Sequence, residues 1–112
     1  MIYTLPKNVI APQDCLKLIR VIYDGGLDDV SVAMLDWNGR CIGMRWNNSS
    51  KERNDPDKAS GAKICRGMPV SSGHPVWFIL PDWMFEDGSE LSKKLKAAVR
   101  ELNENTSRAD FS

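Results

Sequence analysis

Between Val30 and Trp46 larger and smaller side chains alternate, in the order V-S-V-A-M-L-D-W-N-G-R-C-I-G-M-R-W. Alternation of this kind marks strands with one buried face. Asn38-Gly39 at its centre is a hairpin signal, because both residues accept the positive φ of a type I′ turn. The pattern predicts strands over 30–37 and 40–46, joined by a two-residue turn with Trp37 and Arg40 as the closing pair. In that register Trp37 and Trp46 share pleat parity with Leu35 and Met44, which leaves two readings open: both indoles in the core, or one exposed as an interface anchor.

Upstream, 16–23 (L-K-L-I-R-V-I-Y) carries two competing signals. Leu18, Ile19 and Ile22 fit one face of a helix that Pro12 would open. The β-branched cluster Ile19, Val21, Ile22, followed by Asp24-Gly25-Gly26, favours a strand, and a strand is the reading adopted. It completes a three-stranded antiparallel meander. Residues 1–5 suit a short edge strand stopped by Pro6.

From 47 to 75 the pattern changes to a polar stretch rich in Gly, Pro and Ser. Its 29 residues far exceed the usual connection of about 4–6, a length that marks a loop as functional or disordered. Val76-Trp77-Phe78-Ile79-Leu80 then forms an unbroken apolar run closed by Pro81. It reads as a strand buried on both faces, central in the sheet or covered by the last helix. Residues 82–85 read as a turn that tucks aromatic surface inward. Asp87-Gly88-Ser89-Glu90 resembles a capping box with Asp87 as N-cap. Beyond it Leu91, Leu95, Ala98, Val99 and Leu102 form one stripe of an amphipathic helix. No pattern continues past that stripe, so 105–112 is expected to fray. The predicted architecture is α+β: an antiparallel sheet of four to five strands with a C-terminal helix packed on one face, a single domain over 1–104.

Composition adds constraints rather than a function. The 112 residues are 42% apolar and 27% charged, with zero formal net charge. That balance describes a folded globular chain and gives no long-range pull toward nucleic acid or an anionic membrane. The N-terminal residues do not form a signal peptide, and no segment reaches the roughly 18 apolar residues of a membrane span. Cys15, Cys41 and Cys65 are odd in number and widely spaced, which suits reduced thiols in a cytoplasmic protein.

Three groups of residues, D-W-N-G at 36–39, I-G-M-R-W-N at 42–47 and G-H-P-V-W-F-I-L-P at 73–81, resemble a family of small uncharacterised bacterial proteins. That family carries an acidic-Trp-Asx-Gly turn, an Arg-Trp-Asn strand end and a Gly-x-Pro-x-Trp-Phe-x-x-Pro strand. The likeness covers about 20 positions between Asp36 and Pro81. This chain departs from it in a longer, more charged loop around 51–63 and in its N-terminal extension. The resemblance implies strands but no activity.

Candidate chemistry is sparse. A cysteine nucleophile, Cys41 or Cys65, would need His74 as base and an acid such as Asp55 or Asp57 to orient it. No signature surrounds these residues, and a free cysteine is commonly a small core side chain. A zinc site from Cys41, Cys65 and His74 has spacings of 24 and 9, without the close ligand pairs of structural zinc and without a fourth ligand. The expectation is therefore no enzyme, no metal and no cofactor.

The better candidates lie in the long loop. Arg45, Lys51, Arg53, Lys58, Lys63 and Arg66 face only Glu52, Asp55 and Asp57 in the same span, a local surplus of 6 − 3 = +3. Bases beside exposed aromatics can hold single-stranded nucleic acid, although interleaved acids would repel phosphate. Trp and Arg are also enriched anchors of protein interfaces, and Arg45-Trp46 fits that role if the indole is exposed. The expected function is a small binding or regulatory protein, of bacterial or phage type. It would engage a protein partner through the 47–75 loop and the adjacent sheet face, with a nucleic-acid-binding module as the alternative. The expected binding residues are Arg45, Trp46, Lys51, Arg53, Lys58, Lys63 and Arg66.

Overall fold

Strands form where the alternation lies. In the computed structural model, which describes residues 1–109, β1 is Ile2–Tyr3, β2 Lys17–Asp24, β3 Val30–Asp36 and β4 Arg40–Trp46. Two one-turn helices, α1 (Ser50–Arg53) and α2 (Pro56–Ala59), follow. Then come β5 (Ile64–Cys65), β6 (Val70–Ser71), β7 (His74–Pro75), β8 (Phe78–Leu80) and α3 (Glu90–Ala109). The fold is α+β, with a four-stranded antiparallel sheet in the order β2-β3-β4-β8. Small two-stranded pairs β1-β5 and β6-β7 accompany it. The chain divides into two compact units, Met1–Leu80 and Pro81–Ser112. Among the described residues no helix is long and apolar enough to cross a membrane.

The ambiguous segment is a strand, as expected, and β2 pairs with β3 across two bulges. The hairpin exists, but its register differs by one residue from the expected one. Asp36 pairs with Arg40, which leaves Trp37, Asn38 and Gly39 as a three-residue connection. Positive φ falls at Asn38 (53°) and Gly39 (124°), and the Asp36 carboxylate accepts the Gly39 N–H. One added loop residue inverts every partner on β4, because strand side chains have a period of exactly two. Leu35 therefore faces Cys41, Ala33 faces Gly43 and Ser31 faces Arg45, and all six are buried. Trp46 and Trp37, whose burial the sequence leaves open between core and interface anchor, are exposed.

The inner face holds the apolar core of the first unit. Val9, Leu16, Ala33, Leu35, Cys41 and Trp77 pack together, with Leu18 against them. Trp77 lies over Gly43, where an added Cβ would collide with Leu35 and press on the indole at 3.1 Å. The indole N–H donates to the Val9 carbonyl at 2.8 Å, tying the N-terminal segment across the sheet.

β8 corrects the expectation of a strand buried on both faces. Trp77 is core, but among the described residues the strand pairs with β4 alone and lies at the sheet edge. Phe78 (47%) and Ile79 (39%) remain exposed. An unbroken apolar run does not separate a central strand from an edge strand whose outer side chains are uncovered.

In the second unit Asp82–Phe85 forms a 3-10 turn. Helix α3 starts at Glu90, and the cap is Ser89 rather than Asp87: Ser89 Oγ accepts the Ser92 N–H at 3.1 Å. Asp87 instead pairs with Lys96 at 2.8 Å, and that hydrogen bond holds its carboxyl below the ordinary value. The helix continues to Ala109, into the stretch expected to fray, and residues 110–112 lie outside the described residues.

Candidate functional site

The 47–75 segment contains α1, α2 and β5 to β7, and three buried polar residues tie it together. Arg45 follows Cys41 and Gly43 on the inner face and is 1% exposed. Its guanidinium donates to the carbonyls of Arg66, Val76 and Pro69. A rigid fork of donors suits this task, because one side chain reaches several carbonyls of an irregular segment at once. Burial lowers the Arg45 pKa to about 10, so the side chain stays charged through the neutral range. Gly67 fits against this fork at φ 68°, and a Cβ there would collide with the Trp46 carbonyl and lie 2.7 Å from the Arg45 guanidinium.

Glu52 is the second organiser. Ser49-x-x-Glu52 forms a capping box at the start of α1, in which the Ser49 N–H donates to the Glu52 carboxylate at 3.2 Å. The same carboxylate accepts Lys58 Nζ at 2.8 Å, the Arg66 N–H at 2.6 Å and the Gly67 N–H at 2.8 Å. A carboxylate offers about four acceptor positions, and here it joins α1, α2 and the chain at 66–67. Burial by itself would raise the Glu52 pKa. The hydrogen bonds from Lys58, Arg66, Gly67 and Ser49 outweigh burial and hold the carboxyl below its ordinary value.

Asn47 is the third. Its Oδ1 accepts from Ser31 Oγ at 2.7 Å, and its Nδ2 donates to the Gly26 carbonyl at 2.7 Å and to Asp24 at 3.2 Å. The end of β4 is thereby joined to the β2–β3 turn.

This interior redistributes the expected binding residues. Arg45 is a buried structural donor, not a surface anchor. Lys58 is buried against Glu52 (side-chain exposures 11% and 7%), so it is not available to a phosphate. Lys63 pairs with Asp57 at 3.5 Å, and Arg53 pairs with Asp28 at 2.9 Å. Arg66 donates to the Gly73 carbonyl at 3.0 Å. Lys51 is exposed and makes no ion pair among the described residues. Of the six bases, Lys51 and Arg66 are the ones exposed without an ion pair among the described residues, so a basic track here would rest on two free cations rather than six.

What does form is an open groove of about 570 Å³ at the end of β4. Trp46, Met68 and Val70 supply its apolar wall, with exposures of 45%, 46% and 44%. Trp46 and Met68 are joined by reciprocal backbone hydrogen bonds of 2.8 and 2.9 Å, which fix the two side chains beside each other. Lys51 and Arg53 lie on the rim, and Asn48 lines the groove while only 6% exposed. Asn48 Oδ1 accepts the Ser49 N–H at 2.9 Å, whereas Nδ2 is a buried donor with no partner among the described residues. Such an unmatched donor costs about 1–3 kcal/mol.

Cys41 and Cys65 are buried, whereas their candidate partner His74 is exposed. His74 is exposed and lines a separate hollow of about 390 Å³ with Asn8, Ile10, Ala11, Gln13 and Pro75. Cys65 is fully buried, and burial raises its thiol pKa, the opposite of an activated thiolate. No group of three or more His, Cys, Asp or Glu side chains is placed to hold a metal ion among the described residues. Comparison of the chain with protein-family models, curated proteins and solved structures finds no match.

Of the residues that line the groove, the sequence reading names Trp46, Lys51 and Arg53 but not Asn48 or Met68, and it does not single out Asn47 or Glu52 in the interior behind it. For Glu52 the signal was legible, since Ser49-x-x-Glu52 is a capping-box spacing.

Proposed function

We propose that this protein is a non-enzymatic binding protein that engages a partner protein through the groove beside Trp46. The observation that carries the reading is the cluster of Trp46, Met68 and Val70, each close to half exposed in a single groove. An apolar wall rimmed by polar groups, on a rigid support, is the usual anatomy of an interface anchor, and Trp is the residue type most often found to dominate one. The pairing of Arg53 and Lys63 and the burial of Arg45 and Lys58 argue against nucleic acid as the occupant. A phosphate backbone is held by unpaired cations along its path.

The test is selection of short peptides from a random displayed library on the full chain, with Trp46→Ala as the comparison. Enriched peptides that lose binding in Trp46→Ala support the reading. Enrichment unaffected by Trp46→Ala overturns it. So does micromolar binding of mixed-sequence single-stranded DNA or RNA with a salt slope that disappears when Lys51, Arg53, Lys63 and Arg66 become glutamine.

A further inference from the structure

Building on the partner-binding reading, we propose that the Trp46 groove takes an acidic segment of the partner, with an apolar side chain against Trp46 and Met68. An oxygen of that segment accepts from Asn48 Nδ2, and a flanking carboxylate faces Lys51.

Three independent features of the groove define this chemistry. Trp46, Met68 and Val70 form one apolar wall, with Trp46 and Met68 held side by side by their paired backbones, a seat for an apolar side chain of a partner. The groove lining contains cations and no carboxylate: Lys51 lacks an ion pair among the described residues, and Arg53 is shared with Asp28. One uncommitted cation and one shared cation complement one or two carboxylates, not a run of phosphates. The third feature is Asn48. Its carboxamide is nine-tenths buried and oriented by the Ser49 N–H, so that Nδ2 is left without an acceptor. A main-chain carbonyl or a carboxylate supplies what that donor lacks. The Glu52 carboxylate does not oppose an acidic ligand, since it is buried and neutralised by Lys58.

The experiment uses the full chain and three pools of short synthetic peptides. All carry Leu or Phe at the centre, flanked by Asp/Glu in the first pool, Lys/Arg in the second and Ser/Asn in the third. Fluorescence anisotropy reads binding at moderate salt. The acidic pool is expected to bind about tenfold tighter than the neutral pool, the size of one charge-assisted contact, with the basic pool weakest. Lys51→Glu, at an exposed position that leaves the fold intact by circular dichroism, should abolish or reverse that order. Asn48→Ala should weaken the acidic and neutral pools alike by about tenfold, the value of one hydrogen bond. Pools that bind equally, or an acidic preference unchanged by Lys51→Glu, overturn this inference. The groove reading survives that result if Trp46→Ala still removes binding. Pools that bind no better to the wild type than to Trp46→Ala overturn both.

Discussion

Arg45 and Trp46 are consecutive residues on one strand, and they invert the usual placement of charge and ring. The arginine is sealed inside, donating to carbonyls at 66, 69 and 76, while the indole stands half exposed over a groove. Both follow from the same register. The inner face of β4 meets an irregular segment whose backbone groups need partners, and an arginine satisfies several at once. Trp46 meets the same segment at Met68, where reciprocal backbone hydrogen bonds leave nothing for its side chain to satisfy. Polarity in this part of the molecule tracks the unmet hydrogen bonds of the neighbouring chain, not distance from water. The polar interior and the apolar groove should therefore respond oppositely to substitution.

The sharpest separation comes from Glu52→Ala, which strands Lys58 and two backbone N–H groups in a buried site. A loss of about 3–5 kcal/mol is expected in urea denaturation, a large share of the roughly 5–15 kcal/mol that holds a domain. A loss under about 1 kcal/mol would show that 47–75 holds itself without the carboxylate. Trp77→Ala removes the apolar counterpart of that hub, the ring over Gly43, and should cost a similar 3–5 kcal/mol or so. If it proves mild while Glu52→Ala is severe, the polar interior outranks the apolar core.

Acid provides a graded version of the first experiment. The Glu52 pKa is depressed in the folded state, so its stabilisation is complete above the ordinary value of 4.5 and is lost as pH falls through the folded value. Denaturation midpoints should drop on acidification below about 4.5, and Glu52→Gln should remove part of that dependence. Parallel curves for the two proteins would contradict it. Smallest of all should be Trp46→Ala, which is expected to change stability by less than about 1 kcal/mol while removing groove binding. A Trp46 variant that unfolds would collapse the distinction between the two regions.

Most strands were legible because 17–24, 30–36 and 40–46 carry β-branched residues and alternation bounded by turn residues. Register was not, since Asn-Gly serves two- and three-residue loops alike and one residue exchanges the two faces of β4. The charges of 47–75 were legible as a count but not as a map. Counting assumes every lysine is solvated, and Lys58 is not. The half-exposed groove depended on the chain returning from Met68 to Trp46, a contact across 22 positions that no local pattern announces.

The placement of β8 bears on how copies of this chain behave when crowded. A sheet edge is a template on which another strand can add, and long flat apolar edges seed fibres. Here Phe78 and Ile79 are exposed on such an edge, but it is only Phe78–Leu80 long, with Pro75 before it and Pro81 directly after. A recruited strand would find three residues of ladder and then a residue with no N–H. The brevity of β8 thus works as a guard against runaway assembly, and lengthening the strand by Pro81→Val should shift the protein toward aggregation at high concentration.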